Sequence, residues 1–67
     1  MKIKIGDKVI PKYVLGTVVG MTKQEVTIHY MDRHGIQRTS KITEEMANKE
    51  GKTLEQLVNE ALVVVHV

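Results

Sequence analysis

The chain has 67 residues, a formal net charge of +2 and no cysteine. A chain of this length suits one domain, residues 1–67, which buries only about 60% of the surface that its unfolded form exposes. The lack of cysteine excludes a disulfide framework and a thiolate metal site as sources of stability. Because no signal-peptide pattern and no apolar run of about 18 residues occurs, we expect a soluble, cytoplasmic protein without membrane contact.

Charge is distributed unevenly along the chain. Residues 1–41 contain eight Lys or Arg against three Asp or Glu, a net charge of +5, whereas residues 42–67 contain two lysines against five glutamates, a net charge of −3. Two interpretations are open. The basic half faces an acidic partner or phosphates, or its lysines only protect strand edges from aggregation while the glutamates suit helices.

The first ten residues predict two short extended segments. Apolar residues and lysines alternate over residues 1–5, which is typical of a half-buried strand. A turn is expected at Gly6-Asp7. Residues 8–10 then form a short strand, which ends at Pro11 because proline lacks a backbone N–H.

Three further strands are predicted before the pattern changes. Residues 16–21 form the first, with a bulge or a tight bend at Gly20 and a polar turn at residues 22–24 after it. In this strand Val18 is expected on one face, and the opposite face is expected to carry Thr17, Val19 and Met21. Residues 25–32 form the clearest strand. Asp32 to Gly35 is expected to turn the chain, with Gly35 at positive φ, and residues 36–42 to return beside it with Ile36, Arg38, Ser40 and Ile42 on one face.

From Thr43 the pattern indicates helices. Thr43 is an N-cap for a short helix that ends before Gly51, and Thr53 with Gln56 has the spacing of a capping box for a second helix. The second helix has an apolar stripe that must pack on another surface, formed by Leu54, Leu57, Val58, Ala61 and Leu62. Residues 63–67 are rich in valine and predict a closing strand.

Residues 5–42, with GDKV at 6–9, GTVV at 16–19 and GIQR at 35–38, resemble the Tudor-like SH3 barrel at the C-terminus of UvrD and PcrA helicases. They are more loosely similar to the RNA-polymerase-binding domain of the CarD family. The resemblance implies a binding module that contacts RNA polymerase or nucleic acid. We therefore expect an α+β fold: a small SH3/Tudor-like, partly open β-barrel of about five strands with a helical hairpin before the last strand.

A second resemblance covers residues 38–62, where a strand, a helix and the segment GKTLEQLVNEAL look like the end of a ribbon-helix-helix repressor. Those proteins dimerise through the strand and use it to read DNA. The resemblance implies a DNA-binding, repressor-like protein as the alternative to the barrel module.

The sequence offers little for catalysis. Its one serine, Ser40, has no glycine elbow around it, and no phosphate-binding glycine loop precedes Gly51-Lys52-Thr53. His29 and His66 meet only if their strands pair, and third and fourth metal ligands are not evident. We therefore expect a non-enzymatic protein without a cofactor or metal ion.

Binding is expected on the basic sheet side and its loops, where recognition residues usually lie on a rigid scaffold. The candidate binding residues are Lys8, Lys12, Tyr13, Arg33, His34 and Arg38. A protein of the transcription or DNA-processing machinery is the expected partner, bound by a small regulator or a phage or mobile-element accessory protein. Duplex DNA, and an anionic small molecule held by a homo-oligomer, are the alternatives.

Overall fold

Five strands and two helices form the part of the chain that the structure, a computed structural model, describes: residues 3–10 and 15–65. The elements in chain order are β1 (Lys8–Ile10), β2 (Gly16–Met21), β3 (Glu25–Met31), β4 (Gln37–Thr43), α1 (Glu44–Lys49), α2 (Leu54–Ala61) and β5 (Val63–Val64). The strands form one antiparallel sheet in the order β4-β3-β2-β1-β5. The predicted α+β class, with five strands and two helices before the last strand, is confirmed.

The sheet is open in the described part of the chain. β4 and β5 lie at its two opposite edges, and β5 pairs only with β1. Because closure requires the two edge strands to pair with each other, a barrel is not confirmed. The helix hairpin is the segment that connects the two edges along the chain.

One face of the sheet, which we call the core face, carries the hydrophobic core. Side chains alternate between faces along each strand. The buried strand residues on the core face are Val9, Val18, Val26, Ile28 and Ile42, and the core is completed by Ile3, Ala47, Leu54, Leu57, Val58 and Leu62. The predicted packing of the α2 stripe is therefore confirmed for four of its five residues, whereas Ala61 is exposed.

A bulge in β2 corrects the predicted position of Met21. Val18 lies opposite Ile28 and Met21 lies opposite Val26, with a shift of register between Val18 and Gly20. The shift inserts one residue and turns Met21 to the core face, where it packs against the core. The prediction of a bulge here is confirmed, but the prediction that Met21 faces away from Val18 is wrong.

The predicted strand over residues 1–5 is wrong where the structure describes it. Residues 3–5 are not in a strand; Ile3 is 4% exposed and Ile5 is 63% exposed, so they do not share a buried face. The reason is a tight turn in which the Asp7 backbone N–H donates to the Lys4 carbonyl at 3.1 Å. The turn is therefore centred one residue earlier than expected. Residues 1 and 2 lie outside the described part of the chain.

Local polar contacts form the turns and helix starts as predicted. The Thr22 hydroxyl accepts from the backbone N–H groups of residues 24 and 25. Thr43 Oγ1 accepts from the Met46 N–H at 3.2 Å at the start of α1, and Thr53 and Gln56 form a reciprocal capping box at the start of α2. Because each cap satisfies a backbone donor that the helix leaves free, these residues fix where both helices begin.

The β3–β4 hairpin has the geometry that its sequence predicts. The Gly35 N–H donates to the Asp32 carbonyl at 3.0 Å, and Gly35 has a φ of +77°. A Cβ built at this position meets no atom within 4 Å, so the restriction is one of backbone conformation and not of space.

Gly35→Ala should lower the free energy of unfolding by about 1–2 kcal/mol, because a Cβ disfavours the left-handed conformation. Gly35→Asn is the matched control and should lower the free energy of unfolding by less than Gly35→Ala, since asparagine tolerates the left-handed conformation better than alanine. Urea unfolding of both variants measures the difference. Equal stability of the alanine variant and the parent would contradict the hairpin geometry.

The closing strand is shorter than predicted. Val63 and Val64 pair with Ile10 and Val9, and the Val65 N–H donates to the Lys8 carbonyl at 2.9 Å. Residues 66 and 67 lie outside the described part. Among the helices of the described residues, none is long and apolar enough to cross a membrane.

Candidate functional site

The face of the sheet opposite the core, which we call the outer face, carries a row of polar side chains across four strands. Lys8 lies opposite Thr17, Thr17 opposite His29, and His29 opposite Thr39. Lys8 Nζ donates to Thr17 Oγ1 at 2.9 Å, and His29 Nδ1 lies 3.3 Å from Gln37 Nε2. The helices contribute to the core on the other side, so this row faces solvent.

A shallow depression of about 290 Å³ lies at one end of the outer face. It is lined by Lys8, Leu15, Thr17, His29, Tyr30, Met31 and Gln37. Leu15 and Met31 are each 58% exposed. The depression therefore combines apolar side chains with a lysine and a histidine, which together suit a ligand with apolar and acidic groups.

Further apolar side chains lie on the outer face beyond the polar row. Ile10 lies opposite Val63, and these side chains are 36% and 63% exposed. The bulged Val19 is 40% exposed. Exposed apolar residues are ordinary when they are scattered singly, but here they lie on the same face as the depression. The outer face thus offers both apolar contact area and charge.

The loop between β3 and β4 is held by the carboxylate of Asp32. Its Oδ1 accepts from the backbone N–H groups of His34 at 2.8 Å and Ile36 at 3.0 Å, and its Oδ2 accepts from Arg38 Nε at 2.9 Å. The Ile36 N–H, followed by the Arg38 guanidinium, lowers the pKa of Asp32 from its usual value of 3.8. These hydrogen bonds therefore hold the loop that carries Arg33 and His34 in a defined conformation.

Four of the six predicted binding residues fall within the described part of the chain. Lys8 lies on the outer face, and Arg33 and His34 lie in the exposed β3–β4 loop. Arg38 lies opposite Tyr30, in the set of β4 residues that shares the core face with Ile42, and its guanidinium is bound to Asp32. It supports the loop. The predicted Lys12 and Tyr13 lie outside the described residues.

The basic residues differ in whether an acid neutralises them. Lys41 pairs with Glu25 at 3.7 Å, and Lys49 pairs with Glu45 at 4.0 Å. Within residues 3–10 and 15–65, the structure shows no acidic partner for Lys8 or Arg33.

The helix side has the opposite character. Five glutamates lie in or beside α1 and α2: Glu44, Glu45, Glu50, Glu55 and Glu60. Lys52 between the helices binds Glu60 and Glu50, and its contact with Glu60 raises its pKa above the usual 10.5. The uneven charge along the sequence therefore corresponds to a basic sheet and an acidic helical hairpin.

His29 is a candidate site residue that the sequence-based prediction did not include. It is half-buried in the polar row and lines the depression. The sequence feature that could have identified it is the alternation of side chains along β3, which places His29 on the face opposite Val26 and Ile28. Its position in one row with Lys8, on the far side of Thr17, could not be read from the sequence, because it depends on the registers of two strand pairs.

The described residues form no cluster of three or more His, Asp or Glu side chains that could hold a metal ion. His66, which was considered beside His29, lies outside them. Comparison with known proteins finds no family model, no curated protein and no solved structure that matches this chain. The interpretation of the site therefore depends on its own geometry.

Asp32→Asn should remove the charge of the Asp32 side chain while keeping an oxygen that can accept hydrogen bonds from the loop backbone. The pKa of Asp32 is lowered in the folded protein. Its carboxylate therefore stabilises the fold at any pH above the pKa that Asp32 has in the unfolded chain. This contribution is lost as the pH falls through the lower pKa of the folded protein. The parent should melt higher than the variant at neutral pH, and the two melting temperatures should converge below pH 3.8. A difference that does not change with pH would contradict the ionic role.

Proposed function

We propose that this protein is a non-enzymatic binding module, and that its outer face and β3–β4 loop bind an acidic surface of a partner protein. The observation that carries the proposal is the combination of exposed Leu15 and Met31 with Lys8 and Arg33, which have no acidic partner in the described residues. Apolar contact supplies affinity at protein interfaces, whereas charge guides association and orientation.

The proposed partner class is a protein of the transcription or DNA-processing machinery. The resemblance of residues 5–42 to the SH3/Tudor-like barrels of UvrD, PcrA and CarD-type proteins supports this class, and the open sheet supplies the strands that such a barrel requires. The role that fits is that of a small cytoplasmic regulator or a phage or mobile-element accessory protein.

The rigid loop supports protein recognition. Three hydrogen bonds to Asp32 order the segment before binding, so less conformational entropy is lost when Arg33 and His34 meet a partner. Residues that are already positioned contribute more of their contact energy to affinity. The loop and the depression follow each other along the chain, since Met31 and Gln37 lie at the base of the hairpin and line the depression.

Lys8 and His29 at the depression favour an anionic small molecule as the second candidate. Phosphate or carboxylate groups would accept hydrogen bonds from both side chains. Such a ligand should raise the melting temperature as its concentration increases, whereas duplex DNA should bind with a steep dependence on salt. These responses distinguish the classes.

The test is capture of partners from a bacterial lysate by the tagged protein, at two salt concentrations, with and without nuclease. The double variant Lys8→Ala and Arg33→Ala should lower the affinity of the captured protein by about 10- to 100-fold, as expected for the loss of two charged contacts. The control double variant Lys23→Ala and Lys49→Ala loses the same charge at other positions and should bind as the parent does.

Two results would contradict the proposal. If capture disappears after nuclease treatment, Lys8 and Arg33 bind nucleic acid and not a partner protein. If the double variant at Lys8 and Arg33 binds as tightly as the parent, the binding site lies elsewhere. Arg38→Ala is unsuitable for this test, because Arg38 binds Asp32 and its loss would disturb the loop.

A further inference from the structure

β4 is an edge strand, and half of its backbone groups point away from the sheet. At one end of the β3–β4 ladder the Asp32 N–H donates to the Ile36 carbonyl, and at the other the Glu44 N–H donates to the Gln24 carbonyl. Hydrogen-bonded and non-hydrogen-bonded pairs alternate in an antiparallel ladder. Residues 38, 40 and 42 therefore bond to β3, and the N–H and C=O groups of residues 37, 39 and 41 point outward.

The two cations on this edge, Arg38 and Lys41, are paired with Asp32 and Glu25, and the edge lacks the backbone features that usually prevent strand pairing. β4 is seven residues long, pairs with β3 without a bulge and contains no proline, whereas β5 at the other edge has two residues. Gln37, Thr39 and Lys41 are all exposed, so the described residues do not cover the edge. A long regular edge of this kind is a template for another strand.

We propose that two copies of this chain pair through β4, antiparallel, about a two-fold axis at Thr39. In this register Thr39 lies opposite Thr39 of the second copy, and Gln37 lies opposite Lys41. Ile36, which is 52% exposed in the single chain, lies opposite Ile42. Paired threonines and paired β-branched residues stabilise neighbouring strands.

Other registers are less favourable. A shift of two residues in one direction places Arg38 directly opposite Arg38 of the second copy, and like charges in this position are destabilising. A shift of two residues in the other direction places Ile36 opposite Glu44, where α1 begins, and leaves Ile36 without a strand partner. Of these three registers, the one centred on Thr39 is the one that both separates the like charges and covers Ile36.

The dimer would join two sheets into one of ten strands, five from each copy. Because the two-fold axis is perpendicular to the sheet, both outer faces lie on the same side. The polar row from Lys8 to Thr39 would then continue into the same row of the second copy. This inference depends on the strand edge and does not require the proposed function to be correct.

The proposed dimer can be tested by placing charged side chains at the two-fold axis, where Thr39 lies opposite Thr39 of the second copy. Thr39→Lys and Thr39→Glu each place two like charges opposite each other, so each variant alone should sediment as a chain of 7.6 kDa while the parent sediments at twice that mass. An equimolar mixture of the two variants should restore the dimer, because Lys then faces Glu. Restoration in the mixture also shows that both variants are folded.

Thr27→Glu is the control, because residue 27 lies on the outer face of β3 beside Lys41 and away from the edge. It should remain a dimer. A parent that sediments as a monomer up to millimolar concentration would overturn the proposal, as would single Thr39 variants that remain dimeric or a mixture that stays monomeric.

Discussion

Leu57→Ala should lower the free energy of unfolding by about 2–5 kcal/mol, because it removes a buried side chain and leaves a cavity between α2 and the sheet. Leu57 is 8% exposed and packs in the single core cluster found among the described residues. Small domains have total stabilities near the lower end of about 5–15 kcal/mol. A loss near the upper end of about 2–5 kcal/mol should therefore leave a large fraction of the molecules unfolded.

Urea unfolding followed by circular dichroism measures this loss. Asn59→Ala is the control, since Asn59 is on the exposed side of the same helix, and its effect should stay within about 0.5 kcal/mol. If Leu57→Ala and Asn59→Ala unfolded at the same urea concentration, α2 would not pack on the sheet as described.

Gly16→Val should destabilise the fold by about 3 kcal/mol, the upper part of the range for overpacked cores. Gly16 is buried in β2 between Val9 and Tyr30. A Cβ at this position would lie 2.9 Å from Ile28 Cγ2, 3.1 Å from the His29 carbonyl oxygen and 3.3 Å from Tyr30 Cβ. Because one of these atoms belongs to the backbone, the strand itself would have to move.

Gly20→Ala is the matched control in the same strand. Its Cβ would lie 3.6 Å from Thr27 Cβ, which is an ordinary contact distance. The melting temperature of the Gly20 variant should stay close to that of the parent, and that of Gly16→Val should fall by more than that of any surface variant. A Gly16→Val protein as stable as the parent would contradict the close approach of β2 and β3.

The features that the sequence predicted well are those set by neighbouring residues. Thr43 and Thr53 cap their helices through residues three positions away, and Gly35 meets the conformational requirement of a four-residue turn. The apolar stripe of α2 follows from the helical period alone. Such features do not depend on which strand lies beside which.

The features that were missed depend on contacts between distant segments. Met21 faces the core because a bulge changes the β2–β3 register, and Gly16 is required because β3 approaches it closely. The ion pair between Arg38 and Asp32 was not predicted either, because the hairpin brings these two residues together. The sequence therefore identified Lys8 and Arg33 as candidates but not the polar row through His29, which requires two registers to be known.

We propose that the outer face and the β3–β4 loop bind the partner, while the helical hairpin supports the sheet. The most direct measurement is the change in backbone amide NMR shifts when the protein captured from lysate is titrated into the labelled chain. We expect the largest changes at Thr17, His29 and Arg33, with small changes in α1 and α2. Changes concentrated on the glutamates of the two helices, with the outer face unaffected, would contradict binding at the outer face.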